Sequence, residues 1–127
     1  MLFFVFFVGI TRGDCHFVFS SPESVLKPYW EKKFMNETWQ SKTGLIVIDE
    51  AHCISEWGED FRSDYQHLHE LRSFFSVSIM TLTATSTKKV KDDIMEHLQL
   101  ADDDTDIIFK SPNRPNIFIT QKRKYRL

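Results

Sequence analysis

The stretch from Leu45 to Tyr65 reads LIVIDEAHCISEWGEDFRSDY, and it decides the fold of the chain. Four β-favouring apolar residues, Leu45–Ile48, follow Gly44 and run directly into Asp49 and Glu50. A short apolar run bounded in this way predicts a strand buried on both faces, as in the parallel sheet of an α/β domain. Ligands of such sheets bind just beyond the carboxyl ends of the strands. Asp49 and Glu50 occupy that position.

This pair of carboxylates suits the hydrolysis of a nucleoside triphosphate. Asp49 can hold Mg²⁺ through water, because this ion keeps most of its hydration shell and takes only one or two protein carboxylates plus phosphate oxygens. Glu50 can orient or deprotonate the attacking water. The alternative for an Asp-Glu pair alone is a buried strand that ends in a solvated acidic turn. The longer string that follows favours the hydrolytic interpretation.

Residues 49–62, DEAHCISEWGEDFR, resemble the RecQ family of DNA helicases, whose motif II and aromatic-rich loop read DEAHCIS-x-WG-x-DFR. The resemblance implies an α/β fold, a partial RecA-like domain of the P-loop NTPase class, with ATP and Mg²⁺ as cofactors. By this resemblance, Asp49 would hold the metal ion and Glu50 would activate the attacking water. His52 would relay between the ATP site and motif III. The CIS-x-WG-x-DFR part of this string argues against another class of protein, an RNA helicase of the DEAD/DEAH type.

The aromatic-rich loop has two interpretations. Trp57 and Phe61 could pack into the core, or they could stack DNA bases as aromatic rings do in single-strand binders. The resemblance favours the second and makes Trp57, Phe61 and Arg62 the element that senses DNA. Glu56 and Glu59 stand where the family often has Gln and His, and Ser63 where it often has Pro. The two extra negative charges are expected to weaken contact with the DNA backbone.

Two further motifs agree with the family in order. Ser21-Pro22-Glu23 is a helix start signal, with Ser21 as N-cap, and it resembles motif Ib, which lies beside bound single-stranded DNA. Val77–Leu82 predicts a second strand that ends in Thr83-Ala84-Thr85 and resembles motif III, whose hydroxyls link the DEAH carboxylates to the DNA side. Plain capping and the frequency of threonine at strand ends are the alternatives.

Apolar periodicity predicts three helices around these strands. The first lies within Pro28–Gln40, where an aromatic stripe is more often core than a stacking platform. The second runs through the positions from Phe61 to Phe75. The third begins at the N-cap Thr87 and presents Lys88, Lys89 and Lys91 to solvent. A short strand is expected at Ile107–Phe109, after an acidic loop. The expected core positions of the three helices are Trp30, Phe34, Met35 and Trp39; Phe61, Tyr65, Leu68, Arg72 and Phe75; and Val90, Ile94 and Leu98.

Composition is that of an ordinary globular protein, with 127 residues and a net charge of −2, so no overall basic field indicates nucleic acid. Cys15 and Cys53 lie far apart, which indicates neither a zinc site nor a disulfide framework. The apolar run Met1–Ile10 is too short to span a bilayer and lacks a basic flank. We therefore expect no membrane association. The resemblance implies a nuclear location in a eukaryote and a cytoplasmic one otherwise.

The chain contains no G-x-x-x-x-G-K-[ST] loop to cradle phosphates, since none of its four glycines precedes Lys-Ser or Lys-Thr. From the resemblance we expect a non-domain or mis-predicted apolar leader at 1–12, the later part of a helicase ATP-binding domain at 13–119, and at 120–127 the start of a linker towards a second motor domain. A buried strand or helix end is the alternative for the apolar run. The segment 111–117, SPNRPNI, resembles the family's S-F-N-R-P-N-L and supports this division.

The resemblance implies part of a RecQ-like ATP-dependent helicase, which couples ATP hydrolysis to 3′-5′ unwinding of DNA strands in recombination and repair. Its expected partners are single-stranded and forked DNA. The isolated chain is expected to be inactive, because the phosphate loop and the second motor domain are not among its residues. The alternative is a non-catalytic remnant of a helicase motor that binds DNA or a partner.

Overall fold

The computed structural model describes residues 17–56, 63–111, 113–118 and 120–121. Within these ranges it has two strands, six α-helices and two 3-10 helices. The strands are β1 (Leu45–Ile48) and β2 (Ser78–Thr81). The α-helices are α1 (Pro22–Val25), α2 (Pro28–Phe34), α3 (Glu37–Lys42), α4 (Cys53–Glu56), α5 (Ser63–Gln66) and α6 (Lys88–His97), and the 3-10 helices are His67–Ser73 and Asp102–Asp104.

The two strands pair in parallel, with Ile46 opposite Ile79 and Ile48 opposite Thr81. Ile46, Val47 and Ile48 are all buried, so β1 is covered on both faces. This confirms the α/β class with a parallel sheet flanked by helices, and it confirms β1 as a doubly covered strand. Parallel strands require a long crossover connection, and here the segment from α4 to the 3-10 helix His67–Ser73 provides it.

A single core forms where the helices pack on β1. Val90, Ile94 and Leu98 of the α6 segment are buried, as the periodicity predicts. The N-cap is also confirmed, because the Oγ1 of Thr87 accepts a hydrogen bond from the Val90 amide at 3.2 Å. Lys88 and Lys89 are exposed, as expected of a solvated helix face. This part of the chain follows its local sequence signals closely.

The helix predicted within Pro28–Gln40 is in fact two helices that break at Met35 and Asn36. The Oδ1 of Asn36 accepts a hydrogen bond from the Thr38 amide at 2.9 Å and caps a new helix, α3. The core assignment of Met35 is wrong, because its side chain is 61% exposed. The break returns Trp39 to the core, where its ring centroid lies 5.9 Å from that of Phe34.

The second predicted helix is α5 followed by the 3-10 helix His67–Ser73. Tyr65, Leu68 and Phe75 are buried as predicted, but Arg72 is exposed and Leu71 takes the buried place. Residues three apart lie on the same side of a 3-10 helix, so Leu71 shares the buried face with Leu68. In an α-helix, Arg72 would lie on that face, because it is four residues after Leu68. Phe61 lies outside the described residues.

No strand forms at Ile107–Phe109, so that prediction is wrong. Ile108 is 97% exposed, and neither described strand pairs with this segment. A strand needs a neighbour for its amide and carbonyl groups, and β-favouring composition alone does not supply one. The β-rich Phe17–Phe19 segment likewise has no strand assignment, although Val18 is buried between two exposed phenylalanines.

The ends of the predicted domain division, within 1–16 and 122–127, lie outside the described residues. Within the described ranges, no helix is long and apolar enough to cross a membrane.

Candidate active site

The backbone bulges where β1 meets the acidic pair. The Leu82 amide donates to the Ile48 carbonyl at 2.9 Å, and the Leu82 carbonyl accepts from the Ala51 amide at 2.9 Å. In a regular parallel ladder the second donor is two residues beyond the first acceptor, which here is Glu50. The donor is instead one residue further on, so Glu50 is the extra residue of a β-bulge.

Glu50 adopts a left-handed conformation with φ of 52°. Such a backbone costs a non-glycine residue about 1–3 kcal/mol and persists where the surroundings fix it. Its amide, released from the ladder, donates to Oδ1 of Asp49 at 2.9 Å. The bulge therefore orients both carboxylates at the carboxyl end of the strand, and the strain is located at the residue with the proposed catalytic role.

His52 joins the two strand ends. Its Nδ1 lies 3.2 Å from Oε2 of Glu50 and 3.1 Å from Oγ1 of Thr83. The Thr83 hydroxyl donates its proton to the Thr85 carbonyl at 2.8 Å, so it can only accept from His52. A carboxylate oxygen is also an acceptor. Both neighbours therefore require Nδ1 of His52 to carry the proton, and His52 donates to Glu50 and Thr83.

The three residues Glu50, His52 and Thr83 thus form one hydrogen-bonded unit, which we call the carboxylate–threonine bridge. Its middle member is largely buried, since the side chain of His52 is 19% exposed, whereas that of Glu50 is 43% exposed. A buried donor shared by two acceptors fixes both of them, while the exposed carboxylate stays open to a ligand. Thr85 takes part through its backbone amide, which donates to the Thr83 hydroxyl at 3.2 Å.

A second contact ties the same regions together. The Ser55 hydroxyl in α4 donates to Oδ2 of Asp93 in α6, and the Asp93 carbonyl accepts from Nδ1 of His97 at 2.8 Å. The sequence motifs assign no role to Ser55 or Asp93. They are 38 residues apart, so no local spacing could have paired them. α4 follows the DEAH residues and α6 follows the threonines. The contact between α4 and α6 therefore links the two segments that carry the bridge.

The motif Ib residues lie at the start of α1. Pro22 is buried, while Ser21 and Glu23 are exposed, so only the latter two could reach a ligand. Ser21 is the N-cap as predicted, but its side chain makes no cap hydrogen bond. Its carbonyl already binds the Ser24 amide at 3.1 Å and the Val25 amide at 2.9 Å, which satisfies this one-turn helix.

Trp57, Phe61 and Arg62 fall in the segment 57–62, outside the described residues, and their part in sensing DNA stays a prediction. Cys53 is buried with a free thiol. Among the described residues, no group of three or more His, Cys, Asp or Glu side chains could enclose a metal ion. Mg²⁺ needs no such cage, because one or two carboxylates and water suffice. The half-buried Asp49 fits that requirement.

The parallel sheet thus carries an acidic pair after one strand and a threonine after the next, joined by His52. Residues 7–94 match the DEAD/DEAH box helicase family, and the chain belongs to that family. It is 39% identical over 118 residues to ATP-dependent DNA helicase Q-like 2 of Arabidopsis thaliana, which covers 89% of this chain and 16% of the relative.

Bacterial proteins are similarly close. The chain is 41% identical over 118 residues to ATP-dependent DNA helicase RecQ of Haemophilus influenzae, covering 92% of this chain and 18% of the relative. It is 43% identical over 102 residues to the probable ATP-dependent DNA helicase RecS of Bacillus subtilis, covering 80% and 19%. These matches confirm the RecQ resemblance. The chain spans less than a fifth of the length of these relatives.

The bridge predicts a specific response to Thr83→Val. Valine keeps the shape of threonine but cannot accept from His52, so we expect a loss of about 1 kcal/mol in the free energy of unfolding. We also expect a shift of the His52 ring nitrogen resonances, measured by ¹⁵N NMR. Thr85→Val is the matched control, because the Thr85 hydroxyl takes no part in the bridge. Equal shifts of the His52 resonances in both variants would show that the bridge is absent in solution.

Proposed function

We propose that this chain forms part of the ATP-hydrolysing motor of a RecQ-like DNA helicase that unwinds DNA with 3′-5′ polarity in recombination and repair. The observation that carries the proposal is the carboxylate–threonine bridge. It connects the residue placed to act on water, at the end of β1, to the end of β2 through a single histidine. A motor needs such a connection, because hydrolysis has to be coupled to movement on DNA.

The geometry of the acidic pair supports the proposed roles. Asp49 would hold Mg²⁺ through water with the carboxylate oxygen that does not accept from the Glu50 amide. That ion, when bound, neutralises charge on the phosphate oxygens of ATP. Glu50 is exposed enough to reach an attacking water and acts as its general base, a role worth about 10²–10⁴ in rate. His52 fixes the Glu50 carboxylate by donating to it.

The proposed partners are single-stranded and forked DNA. Ser21 and Glu23 are exposed at the start of α1, and by family resemblance Trp57, Phe61 and Arg62 complete the DNA contact and report it to the ATP site. Thr83 and Thr85 form the other end of that communication, since the Thr83 hydroxyl contacts His52 and the Thr85 backbone holds that hydroxyl in place. A nuclear location follows for a eukaryotic source.

We expect the 127-residue polypeptide to show negligible DNA-stimulated ATPase activity, because it contains no G-x-x-x-x-G-K-[ST] segment to bind the phosphates. The measurement is phosphate release with and without single-stranded DNA. A DNA-stimulated turnover that Glu50→Gln abolishes would contradict this expectation, since the activity would then belong to the chain itself.

A chimera tests the proposed function directly. Residues 17–118 replace the matching segment of the Haemophilus influenzae relative, with which the chain is 41% identical. We expect the folded chimera to hydrolyse ATP in the presence of DNA and to unwind a duplex with a 3′ single-stranded tail. A chimera that folds and binds ATP but hydrolyses none would refute the proposed role of the carboxylate–threonine bridge.

A further inference from the structure

Residues of α2 and α3, with Asn36 between them, line an open cavity of about 380 Å³ that includes no residue of the bridge. Its volume lies within the range of about 300–1,000 Å³ typical of ligand pockets. It lies where the chain breaks at Asn36 between the two helices. The lining residues are Tyr29, Lys32, Lys33, Asn36, Thr38 and Trp39.

An aromatic ring lies open to solvent at this cavity. Tyr29 is 64% exposed, and its ring meets that of Trp30 edge to face, with centroids 5.9 Å apart. Nζ of Lys33 lies 5.4 Å from the centroid of the Tyr29 ring, a cation–π arrangement. The Tyr29 ring thus has two neighbours, the ring of Trp30 and the ammonium group of Lys33.

The cavity is cationic in a chain of net charge −2. No carboxylate lines it, and Glu31, on the intervening turn of α2, lines a different cavity against the 3-10 helix His67–Ser73. Among the described residues, neither Lys32 nor Lys33 forms an ion pair with a carboxylate. Within the part of the chain that the structure describes, no carboxylate therefore competes with an anionic ligand for these two charges.

Hydrogen-bonding groups complete the lining. Oδ1 of Asn36 is engaged with the Thr38 amide at 2.9 Å, which fixes the side chain and leaves its NH₂ group as a donor. The hydroxyl of Thr38 can donate or accept. Cations, a stacking ring and fixed amide and hydroxyl groups are what a nucleotide unit requires, whereas a lipid headgroup or phosphopeptide has no base to stack on the ring.

We infer that this cavity is an additional contact for single-stranded nucleic acid, in which Lys32 and Lys33 bind phosphates and the exposed ring of Tyr29 stacks a base. The inference rests on the proposed function only in taking DNA as the ligand. Single-strand binders combine the same two components, a cationic track and aromatic platforms. The site would extend the DNA contact beyond the family motifs.

The test measures binding of a fluorescently labelled oligothymidylate to the 127-residue chain by anisotropy over a range of salt concentrations. We expect Lys32→Gln with Lys33→Gln to reduce the slope of log K against log salt by about 1.4, since each phosphate contact on a single strand contributes about 0.7. Lys88→Gln with Lys89→Gln, an exposed lysine pair on α6, makes the same charge change. This control pair should leave the slope near that of the unaltered chain.

The stacking component is tested separately. Tyr29→Ala should weaken binding about tenfold without changing the salt slope, and Tyr29→Phe should retain the affinity because it keeps the ring. Circular dichroism confirms that each variant is folded, as expected for changes at exposed positions.

Three results would overturn the inference: no binding by the unaltered chain, equal losses from the two lysine pairs, or a loss from Lys32 and Lys33 with none from Tyr29→Ala. The last would indicate a site for any polyanion, and anionic vesicles and a phosphopeptide would then compete as well as DNA. ATP hydrolysis by the unaltered chimera judges the helicase proposal independently, so the two can fail separately.

Discussion

Glu50→Gln in the chimera is expected to lower kcat for DNA-stimulated ATP hydrolysis by about 10²–10⁴-fold, which is the usual contribution of a general base. The KM for ATP should change little, because the proposed role of Glu50 is to act on water in the transition state and not on the bound nucleotide. Glutamine has nearly the shape of glutamate, and its side-chain oxygen can still accept from Nδ1 of His52, which lies 3.2 Å from Oε2 of Glu50.

This retained contact makes the experiment sharp. The bridge and the bulge stay in place, so a loss of rate reports the missing base and not a disordered site. Glu37→Gln is the matched control, because it makes the same chemical change at an exposed residue at the start of α3, outside the carboxylate–threonine bridge. If kcat survives Glu50→Gln, the base is another group, and the strained backbone of Glu50 needs a different explanation.

The sequence predicts the centre of the site better than its surroundings. LIVI between Gly44 and Asp49 predicts a doubly covered strand, and β1 is that strand. The family motif predicts that His52 communicates with the TAT segment, and His52 lies in contact with Thr83. Both predictions rest on strong local patterns, because burial and motif chemistry fix every residue in them.

Other features depend on interactions between distant parts of the chain. The bulge at Glu50 arises because Leu82 pairs with both Ile48 and Ala51, and apolar periodicity carries no information about which amide a carbonyl accepts from. The pairing of Ser55 with Asp93 is of the same kind. Asn36 could have been recognised as an N-cap, but the continuous aromatic stripe around it favoured one uninterrupted helix.

The failed strand at Ile107–Phe109 shows the limit of β-propensity. Ile-Ile-Phe favours a strand wherever a neighbour and a covered face exist, yet Ile107, Ile108 and Phe109 are all exposed. The same apolar composition therefore gives a buried strand at β1 and an irregular segment here. The position of each segment within the fold, and not its composition, decides which of them is buried. Ile48 and Ile108 are therefore a matched pair for an experiment, one buried and one exposed.

Ile48→Ala should destabilise the chain by about 2–5 kcal/mol, as measured by urea unfolding, because it leaves a cavity where a fully buried side chain meets the core. Ile48→Val should cost about 0.5–1.5 kcal/mol by the same reasoning. Ile108→Ala makes the identical chemical change at a side chain that is 97% exposed, and it should alter the free energy of unfolding by no more than about 0.5 kcal/mol.

The position of Ile48 gives this experiment a second readout. Ile48 is the last residue of β1, and its carbonyl accepts the Leu82 amide at 2.9 Å, directly before the bulge. A cavity there removes support from Asp49 and Glu50 as well as from the core. We therefore expect the His52 ring resonances to shift in Ile48→Ala and to stay unchanged in Ile108→Ala. Equal unfolding midpoints for the two alanine variants would mean that β1 is not the buried centre of the fold, and the geometry assigned to the carboxylates would then lose its foundation.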